Sequence, residues 1–471
     1  MGLAVLCAIC AILIVIALSF SRCLHGGSIC KTWIDKRADL IAWIIIAVGF
    51  WLRVYWSQFS GAAQTSDFAL YANMAEQVYR GDYFLTPRKQ SGPALVGAFI
   101  YWLVGGIHIT YVLLFQAIIS SITLPLVYFS VKKLFGSSAG LFALILISLN
   151  PEAWMYNNLF GNEPYLGFLV ALSWALIAIV DDKKKSQFLN YLLSGISLAL
   201  AQYMRGTALI IFLTFFFLLL IYRTNYKNLL AFFIGFILFT SPIALFNYKN
   251  LGLKTLAISQ YSGISLYIGS NLKSNGGYYP EFIQELDEEI SARIKDGTLN
   301  YDNEIKVLKA KSNLSAAELD SVIKNRIAQE LALKKIDANK FEIIKQGIMT
   351  KLPIFWAGIS GFSWSLETAH ISKYYTNVQV HVEWLAMIFH DLCILLGSFG
   401  LVLLIKYGTR GQLRAISLFA CGGLLIGFLH MFVEVQGKYH YSIITIFPIV
   451  GSIFLAYVDE IRMSLLGAVK R

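Results

Sequence analysis

Long apolar runs recur along the whole chain and are separated by short charged clusters. A helix needs ~20 apolar residues, sometimes as few as ~17, to cross a bilayer. Runs near that length lie at about 3–20, 39–56, 108–130, 163–180, 207–222, 228–247, 384–405, 415–432 and 441–458. Two shorter runs, 137–150 and 189–204, are retained because the charge pattern described next requires both. The pattern predicts an all-α polytopic membrane protein with about eleven transmembrane helices.

Basic residues cluster at the ends of these runs, and cytoplasmic loops of membrane proteins carry an excess of Lys and Arg. If the first run crosses from outside to inside, every basic cluster faces the cytoplasm. The clusters are Arg22 with Lys31, Lys36 and Arg37; Lys132 with Lys133; Lys183 to Lys185; Arg223 with Lys227; Lys406 with Arg410 and Arg414; and Arg462 with Lys470 and Arg471. We therefore interpret the formal net charge of +11 as membrane orientation and not as a sign of nucleic-acid binding.

The same alternation predicts the domain organisation. Residues 1–247 form a transmembrane core whose first outer loop, 57–107, carries helices at the membrane surface. Residues 248–383 form an extracytoplasmic domain, and 384–471 return as the C-terminal transmembrane helices. The predicted location is the plasma or inner membrane, with the lipid bilayer as a partner.

Composition supports a membrane protein and excludes a soluble one. Hydrophobic residues make up 57% of the 471 residues and charged residues only 14%, which leaves too few polar side chains to cover a soluble globule. The first apolar run could instead be a cleaved signal peptide. However, its basic cluster follows the run where a signal peptide would have it in front, so the pattern favours a retained helix.

The long outer segment has its own helical signals. Pro280 to Lys295 and Ala316 to Lys340 show helical periodicity with charged faces, which predicts a small helical domain. A stretch rich in Gly, Asn and Ser, Tyr267 to Pro280, precedes them and predicts a shaped loop.

The first outer loop holds the earliest candidate for chemistry. Leu70, Met74 and Val78 share one face of a predicted amphipathic helix, and Asp67 stands at its start. Asp67 could simply cap that helix, or it could serve a site on the outer face. After Arg88 and Lys89, a second short helix begins at Pro93 and is expected to lie along the interface.

This arrangement resembles the GT-C superfamily of integral-membrane glycosyltransferases, which includes the protein O-mannosyltransferases and the aminoarabinose transferase of lipid A. In that family an Asp follows the first core span, a Tyr comes a turn later and a Pro opens the next helix. The matching residues are Asp67, Tyr71 and Pro93. The common Lys-Pro-Pro before that helix is replaced here by the sequence from Lys89 to Pro93.

Further motifs of the same family recur along the chain. An Asn-Pro pair after a span and an acidic residue before a Pro match Asn150-Pro151-Glu152 and Asn162-Glu163-Pro164. An Arg at the outer boundary of an apolar helix matches Arg205. A Glu shortly before a basic residue and Tyr matches Glu434 with Lys438 and Tyr439, where Lys replaces the family's Arg.

The resemblance implies transfer of a sugar from a polyprenyl phosphate, such as undecaprenyl phosphate, to a glycan, lipid or protein acceptor in glycan biosynthesis of the cell envelope. Asp67 would act as general base, and Glu163 would position the acceptor or share the proton. The candidates for binding the donor phosphate are Lys89, Arg205, Lys438 and Arg88. The candidates for binding substrate are Tyr71, Glu434 and Tyr439. Some relatives use a divalent metal, and Mg²⁺ or Mn²⁺ on Asp67, Glu163 and Glu434 is an option, although no metal ligand is assigned.

Two other functions fit the same layout of spans. A flippase or transporter for lipid-linked oligosaccharide also has many helices, and Asp391 inside an apolar run is the one feature that favours it. A polysaccharide polymerase also combines many spans with one large outer loop, but it would not depend on Asp67. A receptor or scaffold could use the outer domain without chemistry.

Overall fold

The computed structural model describes residues 28–457, apart from 83–84, 88, 181–186, 274, 311, 313 and 370–375. The predicted first span at 3–20 and the last basic cluster, which begins at Arg462, lie outside the described residues. Within the described part the chain is built from helices, without strands.

The described residues of the N-terminal half form ten α-helices. Their bounds are α1 Ser28–Phe59, α2 Ser66–Arg80, α3 Gly92–Val104, α4 Ile109–Phe135, α5 Ser137–Leu149, α6 Pro151–Met155, α7 Glu163–Ala178, α8 Phe188–Met204, α9 Ala208–Ile221 and α10 Tyr226–Phe246. A 3₁₀ turn, Tyr156–Asn158, follows α6. The short helices α2 and α3 occur where the sequence predicted two short helices, and their place at the membrane surface stays a prediction.

Five of the described helices are long and apolar enough to cross a membrane. They are Lys36–Phe59, Ile109–Phe135, Tyr226–Leu251, Val380–Tyr407 and Arg410–His430. A sixth candidate joins α5 to α6 through a bend of 59° at Asn150 and Pro151. The prediction of a polytopic membrane protein is confirmed, whereas the predicted number of eleven spans is not, because α7 and α9 fall short of the length.

These helices pack around one large core. Tyr128, Trp174 and Phe232 are almost fully buried there, and the Trp174 indole Nε1–H donates to the carbonyl of Ala415 at 2.7 Å, which links α7 to the C-terminal helices. Apolar side chains also cover much of the outer surface of the bundle. Such a surface suits lipid and would be unfavourable in water.

The long polar segment forms seven further helices. They are α11 Ser262–Gly269, α12 Pro280–Lys295, α13 Tyr301–Lys309, α14 Ala316–Ala338, α15 Lys340–Gln346, α16 Leu352–Ala357 and α17 Ser360–Thr368. Helices α12 and α14 match the two periodic stretches, and α14 begins with a capping box formed by Ser315 and Glu318. Leu286 and Ile323 lie in a second hydrophobic cluster, separate from the membrane core.

This segment is joined to the core by polar contacts. The Thr86 hydroxyl donates to Glu318 on α14 at 2.7 Å, which connects the loop after α2 to the outer helices. The backbone N–H of Glu434 donates to the carbonyl of Ser265 on α11 at 2.8 Å. The helices of this long polar segment therefore help to hold both the loop after α2 and the segment that contains Glu434.

The described residues from 376 onward form two long helices and an interrupted third. Helices α18, Thr376–Tyr407, and α19, Arg410–His430, are continuous. The apolar run at 441–458 is divided into a 3₁₀ turn Tyr439–Ile443, a short α20 Ile446–Ser452 and a second 3₁₀ turn. It is buried against α18 and α5, so its hydrophobicity reflects the protein core and does not require a full span.

Candidate active site

A polar cavity of about 510 Å³ lies where α2, the start of α7, the α8–α9 turn and the segment after α19 meet. Its walls contain Ser66, Asp67, Phe68, Tyr71, Lys89, Gln90, Asn162, Glu163, Arg205, Tyr261, Ser265, Tyr278, Trp364, Glu434, Gln436, Lys438 and Tyr439. Eight of the nine site residues selected from the sequence are among them. The ninth, Arg88, lies outside the described residues.

Asp67 points into this cavity and does not cap α2. The residue before the helix is Thr65, and no side chain caps its N-terminus. The Asp67 carboxylate instead accepts a hydrogen bond from Lys89 Nζ at 2.9 Å. Ser66 has φ +50°, a left-handed conformation that costs a non-glycine residue ~1–3 kcal/mol. The backbone is therefore strained directly beside the carboxylate.

The charges around Asp67 favour its ionised form. Burial by itself raises the pKa of this carboxyl, but Lys89, Lys438 and Arg205 outweigh that effect, so the pKa lies below its ordinary value. The Asp67 side chain is 37% exposed, so an acceptor molecule can reach it from solvent.

Glu163 lies deeper in the same cavity. It begins α7, and one of its oxygens accepts a hydrogen bond from the backbone N–H of Asn162 at 3.1 Å. Its other oxygen faces Arg205 at 3.5 Å and Lys438 at 4.0 Å. The side chain is only 3% exposed. Glu163 is thus both a favourable acidic residue at a helix N-terminus and the shared partner of two cations.

Aromatic rings hold those two cations in place. The Arg205 guanidinium lies over the Tyr439 ring at 3.9 Å, and Lys438 Nζ lies over the Trp364 ring at 4.2 Å. Burial lowers the pKa of Lys438, against the opposing effect of Glu163 and Asp67. Both cations therefore face the cavity with little solvent around them.

Glu434 and Tyr71 complete the predicted set. Glu434 accepts hydrogen bonds from Gln436 at 2.7 Å and from the Tyr439 hydroxyl at 3.1 Å, while burial raises the pKa of its carboxyl. The buried Tyr71 hydroxyl donates to Gln90 at 2.9 Å. Both side chains are positioned by neutral partners.

The cavity also contains residues that the sequence motifs missed. Tyr261, Tyr278 and Trp364 come from the long outer segment and bring aromatic surface to the site. The Gly- and aromatic-rich stretch that predicted a shaped loop was a usable signal for Tyr278. Nothing local marked Tyr261 or Trp364, because their approach to the cavity depends on how the outer helices pack.

An apolar groove lies close to the cavity. It encloses about 550 Å³ and is lined by Leu85, Gly92, Leu95, Val96, Leu200, Tyr203, Met204, Leu238, Phe239 and Pro242. Helices α3, α8 and α10 form its walls. A Cβ at Gly92 would lie 2.6 Å from the Tyr203 carbonyl oxygen, so glycine is what permits α3 to approach α8 this closely. Arg205 follows directly after the groove residue Met204, which places a cation of the cavity beside the groove.

The three cavity carboxylates already have partners. Asp67 and Glu163 pair with cations, and Glu434 accepts two hydrogen bonds. Among the described residues, the side chains with the spacing of a metal site are elsewhere, at Glu152, His390 and His440. The arrangement favours the carboxylates of the cavity as partners of its cations, not as ligands of Mg²⁺ or Mn²⁺.

The chain is similar to known proteins in sequence and in fold. Residues 92–245, about a third of the chain, match the family model described as dolichyl-phosphate-mannose-protein mannosyltransferase. The matched region contains α3, α7, α8 and most of α10, and with them Glu163, Arg205 and nearly the whole apolar groove. No curated protein sequence matches the chain.

Solved structures share the fold. The archaeal oligosaccharyltransferase AglB from Archaeoglobus fulgidus, in complex with an inhibitory peptide and a dolichol-phosphate, superimposes with a TM-score of 0.51 at 15% identity. The match covers 93% of this chain and 52% of AglB, so the chain spans about half the length of that protein. ArnT from Cupriavidus metallidurans, bound to undecaprenyl phosphate, gives a TM-score of 0.37 at 11% identity over 88% of this chain and 78% of ArnT.

The matched family model is described as a mannosyltransferase, and AglB is described as an oligosaccharyltransferase. The resemblance of this chain to the GT-C membrane glycosyltransferases, predicted from its motifs, is confirmed by the family match and by the shared fold.

Proposed function

We propose that this protein is a membrane glycosyltransferase that moves a sugar from a polyprenyl-phosphate donor to an acceptor hydroxyl, with Asp67 as general base. The observation that carries the proposal is the cavity itself. It combines a solvent-accessible carboxylate with three cations and lies beside an apolar groove. Sugar transfer from a lipid-linked phosphate needs all three features: a carboxylate for the acceptor proton, cations for the phosphate and an apolar surface for the lipid.

The charges suit the bond changes of the reaction. The acceptor oxygen bonds to the anomeric carbon while the bond from that carbon to the phosphate oxygen breaks, and its electron pair stays on the phosphate. The acceptor proton passes to Asp67. The phosphate gains one negative charge as Asp67 loses one, so the net charge of the cavity is unchanged. Positive groups that already face the phosphate stabilise this charge without rearranging.

Asp67 suits the role of base better than Glu163. Asp67 is reachable from solvent, whereas Glu163 is buried and holds Arg205 and Lys438. Lys89 favours the ionised form of Asp67 and lowers its basicity. A bound donor phosphate competes for Lys89, and the loss of that partner would make Asp67 a stronger base when substrate is present.

The groove fits the lipid part of the donor. An isoprenoid chain lying against Leu95, Leu238 and Phe239 would bring its phosphate to the end of the groove near Arg205. AglB was solved with dolichol-phosphate and ArnT with undecaprenyl phosphate, and the family description names dolichyl-phosphate-mannose. We extend to this chain only their common chemistry, a sugar or phosphate on a polyprenyl carrier.

The proposal includes a membrane topology. With eleven spans in the plasma or inner membrane, the cavity opens on the outer face, and residues 248–383 form an extracytoplasmic domain over it. The short apolar helices α7 and α9, and the interrupted run at 441–458, then cross the bilayer together with neighbouring turns. Acceptors on that face include glycans, lipids and proteins, and the polar, aromatic walls suit a hydroxylated acceptor.

The test uses full-length protein in nanodiscs, supplied with radiolabelled polyprenyl-phosphate sugars and a panel of lipid, glycan and peptide acceptors. We expect label transfer by the wild type and a loss of ~10²–10⁴-fold in Asp67→Asn, the usual contribution of a general base. The matched control is Glu76→Gln, which neutralises a carboxylate on the same helix that pairs with Arg80 away from the cavity. Transfer that persists in Asp67→Asn would contradict the proposal and favour a polymerase. Movement of the intact donor across the bilayer without transfer would identify a flippase.

A further inference from the structure

Three buried side chains of the kinds that bind metals meet outside the cavity. Glu152 lies in the first turn of α6, His390 in α18 and His440 in the 3₁₀ turn after α19. One ligand atom from each residue lies within 4.8 Å of the other two. All three side chains are at most 2% exposed, and none of them lines the cavity. The active site therefore does not account for this cluster.

Two consecutive carbonyl groups orient the two imidazole rings. His440 Nδ1–H donates to the carbonyl of Phe355 at 2.8 Å, and His390 Nε2–H donates to the carbonyl of Trp356 at 2.6 Å. A carbonyl oxygen can only accept, so these nitrogens must carry the protons. Metal-binding histidines typically donate their second ring N–H in this way, which fixes the tautomer and leaves the other nitrogen as ligand.

One carboxylate oxygen of the cluster lacks the partner that burial requires. His440 Nε2 lies 2.9 Å from one oxygen of Glu152. With the proton of the ring on Nδ1, the lone pair of Nε2 faces the negative carboxylate, so a proton or a metal cation is needed between the two atoms. The other oxygen of Glu152 is buried and has no hydrogen-bond partner in the described structure. A Cβ at Gly361 would lie 2.9 Å from that oxygen, so glycine keeps the space beside it open. Buried carboxylates are otherwise paired with a cation or bind a metal.

We propose that Glu152, His390 and His440 bind a divalent transition-metal ion, with Zn²⁺ as the expected occupant. Two imidazoles and one carboxylate form a ligand set that suits Zn²⁺, whereas Mg²⁺ and Ca²⁺ prefer oxygen ligands alone. The inference is independent of the proposed sugar transfer, because it rests on a different group of residues and is tested by metal content.

The ion would stabilise one wall of the neighbouring cavity. His440 directly follows Lys438 and Tyr439, which line the cavity, and the ligands come from three elements far apart in sequence. A metal shared by them would fix the turn 439–443 against α6 and α18. The bound ion therefore braces the cavity wall and does not contact the donor phosphate.

The test measures metal in the purified full-length protein in detergent. After incubation with Zn²⁺ and desalting, elemental analysis should find about one Zn²⁺ per chain, the stoichiometry of a single site. Glu152→Gln keeps the shape of the side chain but removes the anionic ligand, so bound Zn²⁺ should fall at least ~10-fold. The matched control is His430→Asn, which alters another buried histidine that packs against Phe355 but lies outside the cluster, and it should retain the metal.

Co²⁺ provides a second measurement that does not depend on any variant being folded. Wild-type protein loaded with Co²⁺ should show the visible d–d absorption of low-coordinate Co²⁺ with nitrogen ligands, and Zn²⁺ should abolish it by competition. A wild-type protein that binds neither ion would overturn the proposal and leave Glu152 and His440 as an ion pair. Full Zn²⁺ content in a monodisperse Glu152→Gln sample would overturn it as well.

Discussion

Asp67 and Glu163, two of the three carboxylates of the cavity, have different surroundings, which support the different roles proposed for them. Asp67 is reached by solvent and is paired with the single cation Lys89, whereas Glu163 is enclosed between Arg205 and Lys438. An accessible carboxylate can exchange a proton with an incoming hydroxyl. An enclosed one with two cationic partners serves better to hold those partners in position.

Arg205 is expected to be sensitive to a change that preserves its charge. Its planar guanidinium stacks on Tyr439 and faces Glu163, and a lysine offers neither the flat surface nor the fork of donors. Arg205→Lys should lower kcat/KM for the lipid-linked donor about tenfold or more, since hydrogen bonds to charged groups contribute ~1.5–3 kcal/mol.

The control for this measurement is Arg80→Lys at the exposed end of α2, where the arginine pairs only with Glu76 among its described contacts. Equal activity of Arg205→Lys and the wild type in the transfer assay would remove Arg205 from the donor site.

At the scale of elements, the short helix α3 is important because it lies against α8 and α10 and forms one wall of the apolar groove. Thirteen residues are too few to span a bilayer, and the Gly92 contact with Tyr203 sets how closely α3 approaches. In the proposed function this apolar groove, formed by three helices, receives the lipid tail of the donor from the bilayer. A long isoprenoid chain can therefore enter laterally from the membrane and need not pass through water.

A bulky side chain in the groove should discriminate between donors by chain length. Leu238→Trp fills space beside Phe239 and Leu95, so we expect a higher KM for a full-length polyprenyl donor with little change in kcat. A short-chain donor analogue, whose tail does not reach this position, should be used almost normally. The comparison of KM values for the two donors in nanodiscs tests the assignment.

The control is Leu230→Trp, a change at another exposed apolar position of the same helix that lies outside the groove. Loss of activity toward both donors alike would show that the substitution disturbs the fold and would not support a tail-binding groove.

For the whole molecule, the contact between the outer helices and the core is a determinant of stability as well as of the site. Lys351, which is fully buried, donates to the carbonyl oxygens of Gly269 on α11 and of Met431 and Val433 after α19. One ammonium group thus joins the outer segment to the chain just before Glu434. Burial lowers the pKa of Lys351 to about 8.

That lowered pKa predicts a pH dependence with a definite sign. Between about pH 8 and the unfolded value of 10.5 the unfolded chain binds more protons than the folded chain, so stability rises with pH in this window. Below pH 8 both states are protonated, and the cost of the buried charge is fully present. The free energy of unfolding of the wild type should rise by about 2 kcal/mol between pH 8 and 10 relative to that of Lys351→Met, and the melting temperature should rise with it.

Lys351→Met should also be less stable overall, because three buried carbonyls lose their donor. The matched control is Lys345→Met, at an exposed position upstream in the same helical segment, which should follow the wild-type pH profile. A pH profile of Lys351→Met parallel to that of the wild type would show that the lysine titrates normally.

What the sequence determined about this protein is local. The apolar runs, the periodicity of α12 and α14 and the charged clusters depend on neighbouring residues, so helical class and membrane character followed from pattern alone. The positions of Asp67, Glu163, Arg205 and Lys438 also followed, because each stands in a short motif at the end of an apolar run. Their functional roles remain predictions.

Tertiary structure decided what depends on distant parts of the chain. The interrupted last apolar run is buried in the core, and hydropathy does not distinguish a core segment from a membrane span. Glu152 and His440 are 288 positions apart, and no local pattern records that they meet. Trp364 reaches the cavity only because α17 packs there. The free energies of burial and of ion pairing depend on distances in space, which the local sequence does not record. The same helices could pack in other ways that keep these residues apart, so the tertiary packing decides that they meet.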